Sequence, residues 1–281
     1  MILSSDKKVE NRVAVIMSVY HGDKLAYLKS AVKSILEQTY YHVDLYIYKD
    51  GEVDSKINQY LVFLEGISNV FVFGDSENKG LAKGLNCLID KVVSAGGYCY
   101  IARMDADDIS RLDRIEKQVS FMNKNKELAV SGTSCSEFGA TFSLAEKHLP
   151  IGHEELIDFS IARCPFIHPT VIFRIELFYN GLKYPTNTSF TEDMALWFRL
   201  LDEGYKFGNL NEILLDYRLD ESTVKRRKGF KKALNEVVLR QKYMKRLNMI
   251  SFRNIILVYS RLFFHLAPDY LVKLLYKYFR Q

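Results

Sequence analysis

From residue 13 to residue 103 the sequence alternates short apolar runs with stretches of helical period, and few folds accept that alternation. Residues 13–19 are a continuous apolar run, the mark of a strand buried on both faces. In residues 24–38, Leu25, Leu28, Val32, Ile35 and Leu36 recur along one face of a helix. Further strands are expected at 43–48, 70–73 and 98–103, and helices at 55–64 and 81–93, with turn signals at Lys49-Asp50-Gly51 and Gly80. Such alternation builds βαβ units around a parallel sheet. Ligands of such sheets sit outside the carboxyl ends of the strands. Here those ends carry Tyr20, Asp50, the loop after Phe73, and Asp105 with Asp107.

The last of these ends holds the densest chemistry. An apolar, aromatic segment stops at Asp105-Ala106-Asp107-Asp108, three carboxylates in four residues. If the extended conformation persists, Asp105 and Asp107 project to the same side, about 7 Å apart along the chain. Carboxylates that close repel unless one is protonated or a cation lies between them. Hard oxygen donors in small number suit Mg²⁺ or Mn²⁺ better than Zn²⁺. The plain alternative is a solvated acidic loop capping the next helix. The convergence of strand ends favours a divalent metal and a nucleotide-type ligand.

Further along, helices are expected at 111–123 and 154–162, strands at 128–132, 170–173 and 213–217, and an irregular, β-leaning stretch at 134–149. Thr191-Glu192-Asp193 opens another helix, which ends at Gly204. A carboxylate in a first helical turn is favoured in its ionised form. Asp193 is therefore either a general base able to take a proton from an attacking hydroxyl or half of a helix-capping pair with Glu192. Trp197, the only Trp, lies one turn on and is either a sugar-stacking platform or a core residue.

With 48% hydrophobic residues, the 281-residue chain is expected to bury a substantial core. Cys87, Cys99, Cys135 and Cys164 form no paired motif and read as free thiols in a reducing compartment. The polar N-terminus carries no signal peptide pattern, so a cytoplasmic location is expected. Charge is unevenly spread. Residues 222–281 hold 15 Lys and Arg against 2 Asp and Glu, which leaves 24 basic and 32 acidic residues before them. This basic tail reads as helical from 229, with breaks near Asn248 and Pro268. Its apolar stretch 255–266 is too short and too interrupted to span a bilayer but suits one lying on a surface. The tail is either a solvated charged face on ordinary helices or the site of an anionic partner, a phosphorylated substrate or, as its apolar stretch suggests, a membrane surface. Nucleic acid is not expected, because no recognition motif is interleaved with the charge.

In this order, residues 15–20, Ser34-Ile35-Leu36-Glu37-Gln38-Thr39, Lys49-Asp50-Gly51, the stretch 78–86, Ala102-Arg103-Met104-Asp105-Ala106-Asp107-Asp108, Thr191-Glu192-Asp193 with Leu196-Trp197, and Tyr217-Arg218 resemble the family 2 glycosyltransferases. The bacterial enzymes of capsule, exopolysaccharide and O-antigen synthesis are the most similar group. The resemblance implies an α/β fold of GT-A type, Rossmann-like and mostly parallel, over residues 12–220. Residues 12–110 would form the nucleotide-sugar half and 111–220 the acceptor half, with a basic helical extension at 221–281.

It implies further that Ser18, Val19, Tyr20, Asp50, Lys83, Arg103 and Asp105 surround a nucleotide-sugar, with base, ribose and phosphate contacts divided among them. Asp107, with Asp105, would hold Mn²⁺ or Mg²⁺, and Asp193 would be the base of an inverting transfer. The acceptor would be a saccharide or a polyprenyl-diphosphate-linked saccharide at the inner face of the cell membrane. Glu192, Trp197, His168, Arg218, Arg226 and Arg227 are implied as acceptor or diphosphate contacts. Two departures stand out: Ser18 replaces the usual Pro, and Leu219-Asp220 stand where many relatives carry a His. A phosphatase of the haloacid-dehalogenase type would also use Asp-x-Asp, but after its first strand. A non-catalytic nucleotide-sugar-binding protein on the same fold is the remaining alternative.

Overall fold

The computed structural model describes residues 11–188, 191–223, 229–268 and 271–272, with the backbone alone at 263–265. Arg226 and Arg227 lie outside the described residues, as do the first ten residues and the end of the tail.

The expected βαβ alternation is present. Strands β1 (Val13–Tyr20), β2 (Val43–Asp50), β3 (Val70–Asp75) and β4 (Tyr100–Asp105) alternate with helices α1 (Leu25–Leu36), α2 (Ser55–Leu64) and α3 (Leu81–Ala95). All four strands run parallel, with β1 between β2 and β4. The continuous apolar run of β1 has a simple cause. Val13, Val15, Met17 and Val19 enter a core with α1, α2 and α4 (Arg114–Lys124), while Ala14 and Ile16 enter a second core with α3. Gly84 lets α3 lie close on the sheet: a Cβ there would come within 2.6 Å of Tyr48 and 3.3 Å of the Ser18 hydroxyl.

The second half turns the sheet mixed. Strands β5 (Ile109–Ser110), β6 (Leu128–Phe138), β7 (Ile172–Arg174) and β8 (Lys206–Arg218) complete the order β3-β2-β1-β4-β7-β6-β8-β5. β7 runs antiparallel to β4 and β6, and β8 runs parallel to β6. β6 and β8 are much longer than the stretches 128–132 and 213–217 expected from the sequence. β5 and the short α6 (Glu176–Tyr179) had no signal. Helices α5 (His153–Ala162) and α7 (Glu192–Asp202) flank this half, and α8 (Phe230–Arg246) and α9 (Phe252–Leu266) follow. The expected break falls at Asn248, which takes φ +56°. α8 packs on α7 through the parallel rings of Tyr243 and Phe198, 5.0 Å apart.

Candidate active site

The acidic run lies where β4 ends. The strand stops at Asp105 and a turn follows, so the extended spacing expected for Asp105 and Asp107 gives way to a tighter arrangement. The turn brings carboxylate oxygens of Asp105, Asp107 and Asp108 within 4.8 Å of one another. Asp108, left out of the ligand set by the strand argument, is thus its third member. Its side chain is fully buried; one oxygen accepts the Arg218 N–H at 2.7 Å and the other has no partner.

Long-range contacts hold the turn in place. β5 pairs with β8 at Ile109–Asp216, and Arg218 Nε donates to the Asp107 carbonyl at 2.8 Å. The Arg218 guanidinium lies over the rings of Tyr27 (3.8 Å) and Phe138 (4.4 Å). Gln38 donates to the Arg111 carbonyl and accepts from the Ile115 N–H, while Ser34 Oγ accepts from the Ser110 N–H. That network gives the Ser34–Thr39 motif a physical role: it fixes the chain just beyond the acidic turn. Behind the turn, Arg114 is fully buried and donates to the Arg103 carbonyl at 2.8 Å and to Gln118 at 2.9 Å.

The electrostatics follow from this crowding. Burial, then the Asp105 charge, raises Asp107 to about 6. Burial with both neighbours pushes Asp108 well above the carboxylate range. Asp23, in the turn before α1, rises to about 7 through burial, with Asp107 and Asp105 adding to it. Its carboxylate accepts the Tyr20 N–H at 2.8 Å. A set of hard oxygen donors, crowded enough to resist ionisation and including one buried oxygen without a partner, fits Mg²⁺ or Mn²⁺.

On the face of β4 turned toward α3 and α7, Arg103 forms an ion pair with Asp105 and is almost fully buried, leaving Nε and Nη1 without partners. Ser18 stands beside Asp105 in the β1–β4 register. Val19 is buried in the opposite core, so only its backbone is available to a ligand, whereas Tyr20 is exposed. Asp50 is buried, and its carboxylate accepts the N–H groups of Lys79 (2.6 Å) and Gly80 (3.0 Å). It therefore anchors the loop that leads into α3. Lys83 is exposed on the first turn of that helix.

The second carboxylate pair is at the N-terminus of α7. Thr191 occupies the N-cap position, but its hydroxyl makes no capping bond. Asp193 Oδ1 accepts the Met194 N–H at 2.7 Å, and the Cys164 thiol points to Oδ2 at 3.8 Å. Burial, then Asp193, raises Glu192, while Arg103 acts in the opposite direction. Arg103 is thus a charge common to both sites. Between them lies Tyr184, a buried residue with no sequence signal, whose hydroxyl meets His168 Nε2 at 2.9 Å. Burial, then Arg103, holds His168 well below its ordinary value. Trp197 corrects the stacking expectation. It is fully buried, with its ring against Phe166, Phe173 and Phe207, and presents no face to a sugar.

Comparison with known proteins agrees with this architecture. Residues 14–182 match the family described as Glycosyl transferase family 2. The chain belongs to that family. It is 30% identical to a UDP-Gal:alpha-D-GlcNAc-diphosphoundecaprenol beta-1,3-galactosyltransferase of Escherichia coli, over 95% of both chains. It is 27% identical to the amylovoran biosynthesis glycosyltransferase AmsE of Erwinia amylovora, over 80% of this chain and 83% of that one. Among solved structures, S. aureus TarS with UDP superposes with a TM-score of 0.64 at 12% identity, covering 89% of this chain and 70% of that one. The Pyrobaculum calidifontis mannosyltransferase PcManGT, solved with GDP-Man and Mn²⁺, gives 0.61 at 15% identity, covering 94% and 72%. These likenesses establish a GT-A-type fold for this glycosyltransferase.

Proposed function

We propose that this glycosyltransferase moves a sugar from a nucleotide-diphospho-sugar to a hydroxyl of a saccharide, carried on a polyprenyl diphosphate, in the synthesis of a bacterial surface polysaccharide. UDP is the proposed nucleotide, and the name of the E. coli relative supports it. The observation that carries the reading is the pairing of two carboxylate sites across Arg103: the turn Asp105–Asp107–Asp108 and the α7 terminus with Asp193.

In this reading Ser18, the Val19 backbone, Tyr20, Asp50 and Lys83 receive the base and ribose, while Arg103 and Asp105 border the sugar-phosphate. Asp107 and Asp105, joined by Asp108, hold Mn²⁺ or Mg²⁺. When bound, the ion stabilises negative charge on the departing diphosphate. Asp193 takes the proton of the acceptor hydroxyl as the new bond to the anomeric carbon forms and the bond to the phosphate oxygen breaks. One carboxylate opposite the leaving group suffices, so the configuration inverts. Glu192 and His168 border the acceptor in this reading, and Arg218 meets the diphosphate through its remaining donors. The basic tail brings the enzyme to the inner face of the cell membrane.

The test is calorimetry of UDP, GDP, CDP and dTDP, with and without Mn²⁺, on the wild type and Asp107→Ala. Tight binding of UDP that needs the metal and is lost in the variant supports the reading. Absence of nucleotide binding by the folded protein would remove it. Asp193→Asn should keep UDP binding and lower kcat by about 10²–10⁴-fold. Unchanged transfer by that variant would take the base role from Asp193.

A further inference from the structure

The two C-terminal helices share an uncovered apolar face. On α8, Phe230, Leu234 and Val238 recur at four-residue spacing, and all three are exposed. On α9, Phe252, Ile256 and Tyr259 form a matching exposed stripe, with Phe252 at 80%. Gln241, on the same side of α8 as that helix's stripe, donates to the Tyr259 hydroxyl and joins the two stripes side by side. Exposed large apolar residues arranged this way mark an interaction surface.

Charge selects the occupant. Between residues 229 and 262 the sole acidic residue is Glu236. It is buried and consumed by Arg240 (2.8 Å) and Arg261 (3.0 Å). Lys242, Lys245 and Arg253 are exposed on the same two helices. The apolar stripes are therefore bordered by cations with no exposed acid among these residues. A symmetric pairing of two copies through this face would bring like charges together. An anionic lipid surface satisfies both features, since apolar side chains enter the acyl boundary while lysines meet the headgroups. No described helix is long and apolar enough to cross a membrane.

We propose that the α8–α9 face docks on an anionic bilayer, an inference that rests on the membrane-carried acceptor proposed above. The docked face is rigidly tied to the acceptor half. Arg240 donates to the carbonyls of Ser160 and Ile161 at the end of α5, and Arg246 pairs with Asp202 of α7 at 2.6 Å. Docking α8 and α9 thereby orients α7, with Asp193 at its first turn, relative to the surface that presents a lipid-linked acceptor.

The test is co-sedimentation of the full chain with vesicles of phosphatidylcholine alone and of phosphatidylcholine mixed with phosphatidylglycerol. The wild type should bind the anionic vesicles in a salt-sensitive way. Phe230→Ser combined with Phe252→Ser and Ile256→Ser should weaken that binding at least about tenfold. Lys242→Glu with Lys245→Glu should weaken it as well. UDP affinity and circular dichroism, measured on the same samples, should stay at wild-type values in both variants. Equal vesicle binding by the triple variant and the wild type would overturn the proposal, as would a wild type that ignores anionic vesicles. A wild-type dimer in ultracentrifugation that the triple variant abolishes would instead assign the face to a second copy. Loss of UDP binding by the wild type would refute the donor reading, whatever the vesicles show.

Discussion

Replacing Asp107 with Asn should stabilise the metal-free protein. In the fold the carboxyl titrates near 6, against 3.8 for the ordinary group. An acid whose pKa is raised by folding binds its proton more tightly in the native state. It costs nothing below pH 3.8, and its cost grows as the pH rises and is fully present above pH 6. The difference corresponds to about 3 kcal/mol at neutral pH, at roughly 1.4 kcal/mol per pH unit. Coupling to Asp105 shares part of that cost, so a gain of about 2–3 kcal/mol is expected for Asp107→Asn at pH 7.5. Urea unfolding in EDTA at pH 7.5 and at pH 4 measures it. The midpoint should rise at the higher pH with an unchanged m-value, and the two proteins should converge at the lower pH. Mn²⁺ should then reverse the ranking. A ligand at a thousand times its Kd adds about 4.1 kcal/mol to the wild type, more than the variant's advantage, and the variant should gain little. A variant less stable than the wild type at pH 7.5 without metal, or one equally stabilised by Mn²⁺, would refute the crowding of charge at this turn.

Arg114→Met should cost about 3–5 kcal/mol in urea unfolding, because it removes a fully buried guanidinium and takes its donors from the Arg103 carbonyl and Gln118 Oε1. Trp197→Phe should lower stability by about 1–3 kcal/mol while leaving the acceptor KM unchanged, since the ring lies wholly in the core. A raised acceptor KM at unchanged kcat would return Trp197 to the sugar. Asp23→Asn should also stabilise the metal-free protein above pH 7 and lose that advantage as the pH falls toward 4, because burial raises Asp23 to about 7; urea midpoints across that range check the sign.

The parallel half of the sheet was legible because its signals are local. β1 reads as doubly buried from seven consecutive residues, and α1 and α3 read from their own apolar faces. The second half was read in fragments. β6 and β8 pair over their full length through register shifts, and residues such as Ser134, Glu137 and Asn209 sit inside them where a local pattern shows only polar interruptions. Those side chains are satisfied across the fold: Asn209 Nδ2 donates to the Pro150 and Pro165 carbonyls, and Glu137 accepts the Leu144 N–H. Short-range periodicity carries no trace of such partners.

The same distinction explains the acidic turn. Three carboxylates in four residues are visible to any reader of the sequence, but which of them converge depends on how the chain bends after Asp105. That bend is set by Arg218, 110 residues beyond Asp108, and by Gln38, more than 70 residues before Arg111. An isolated strand would keep Asp105 and Asp107 on one side and turn Asp108 away. The observed turn instead buries Asp108 against the end of β8, at an electrostatic cost that the Arg218 N–H and the nearby Arg103 and Arg114 guanidinium groups reduce without leaving the second oxygen a partner. A fold that gained nothing from a cation would be more stable with Asn at this position. Among the described residues, the buried side-chain polar atoms without a partner are Asp108 Oδ2, Arg103 Nε and Nη1, and Trp197 Nε1. All but the last lie at this site, as the proposed metal-bound diphosphate would require.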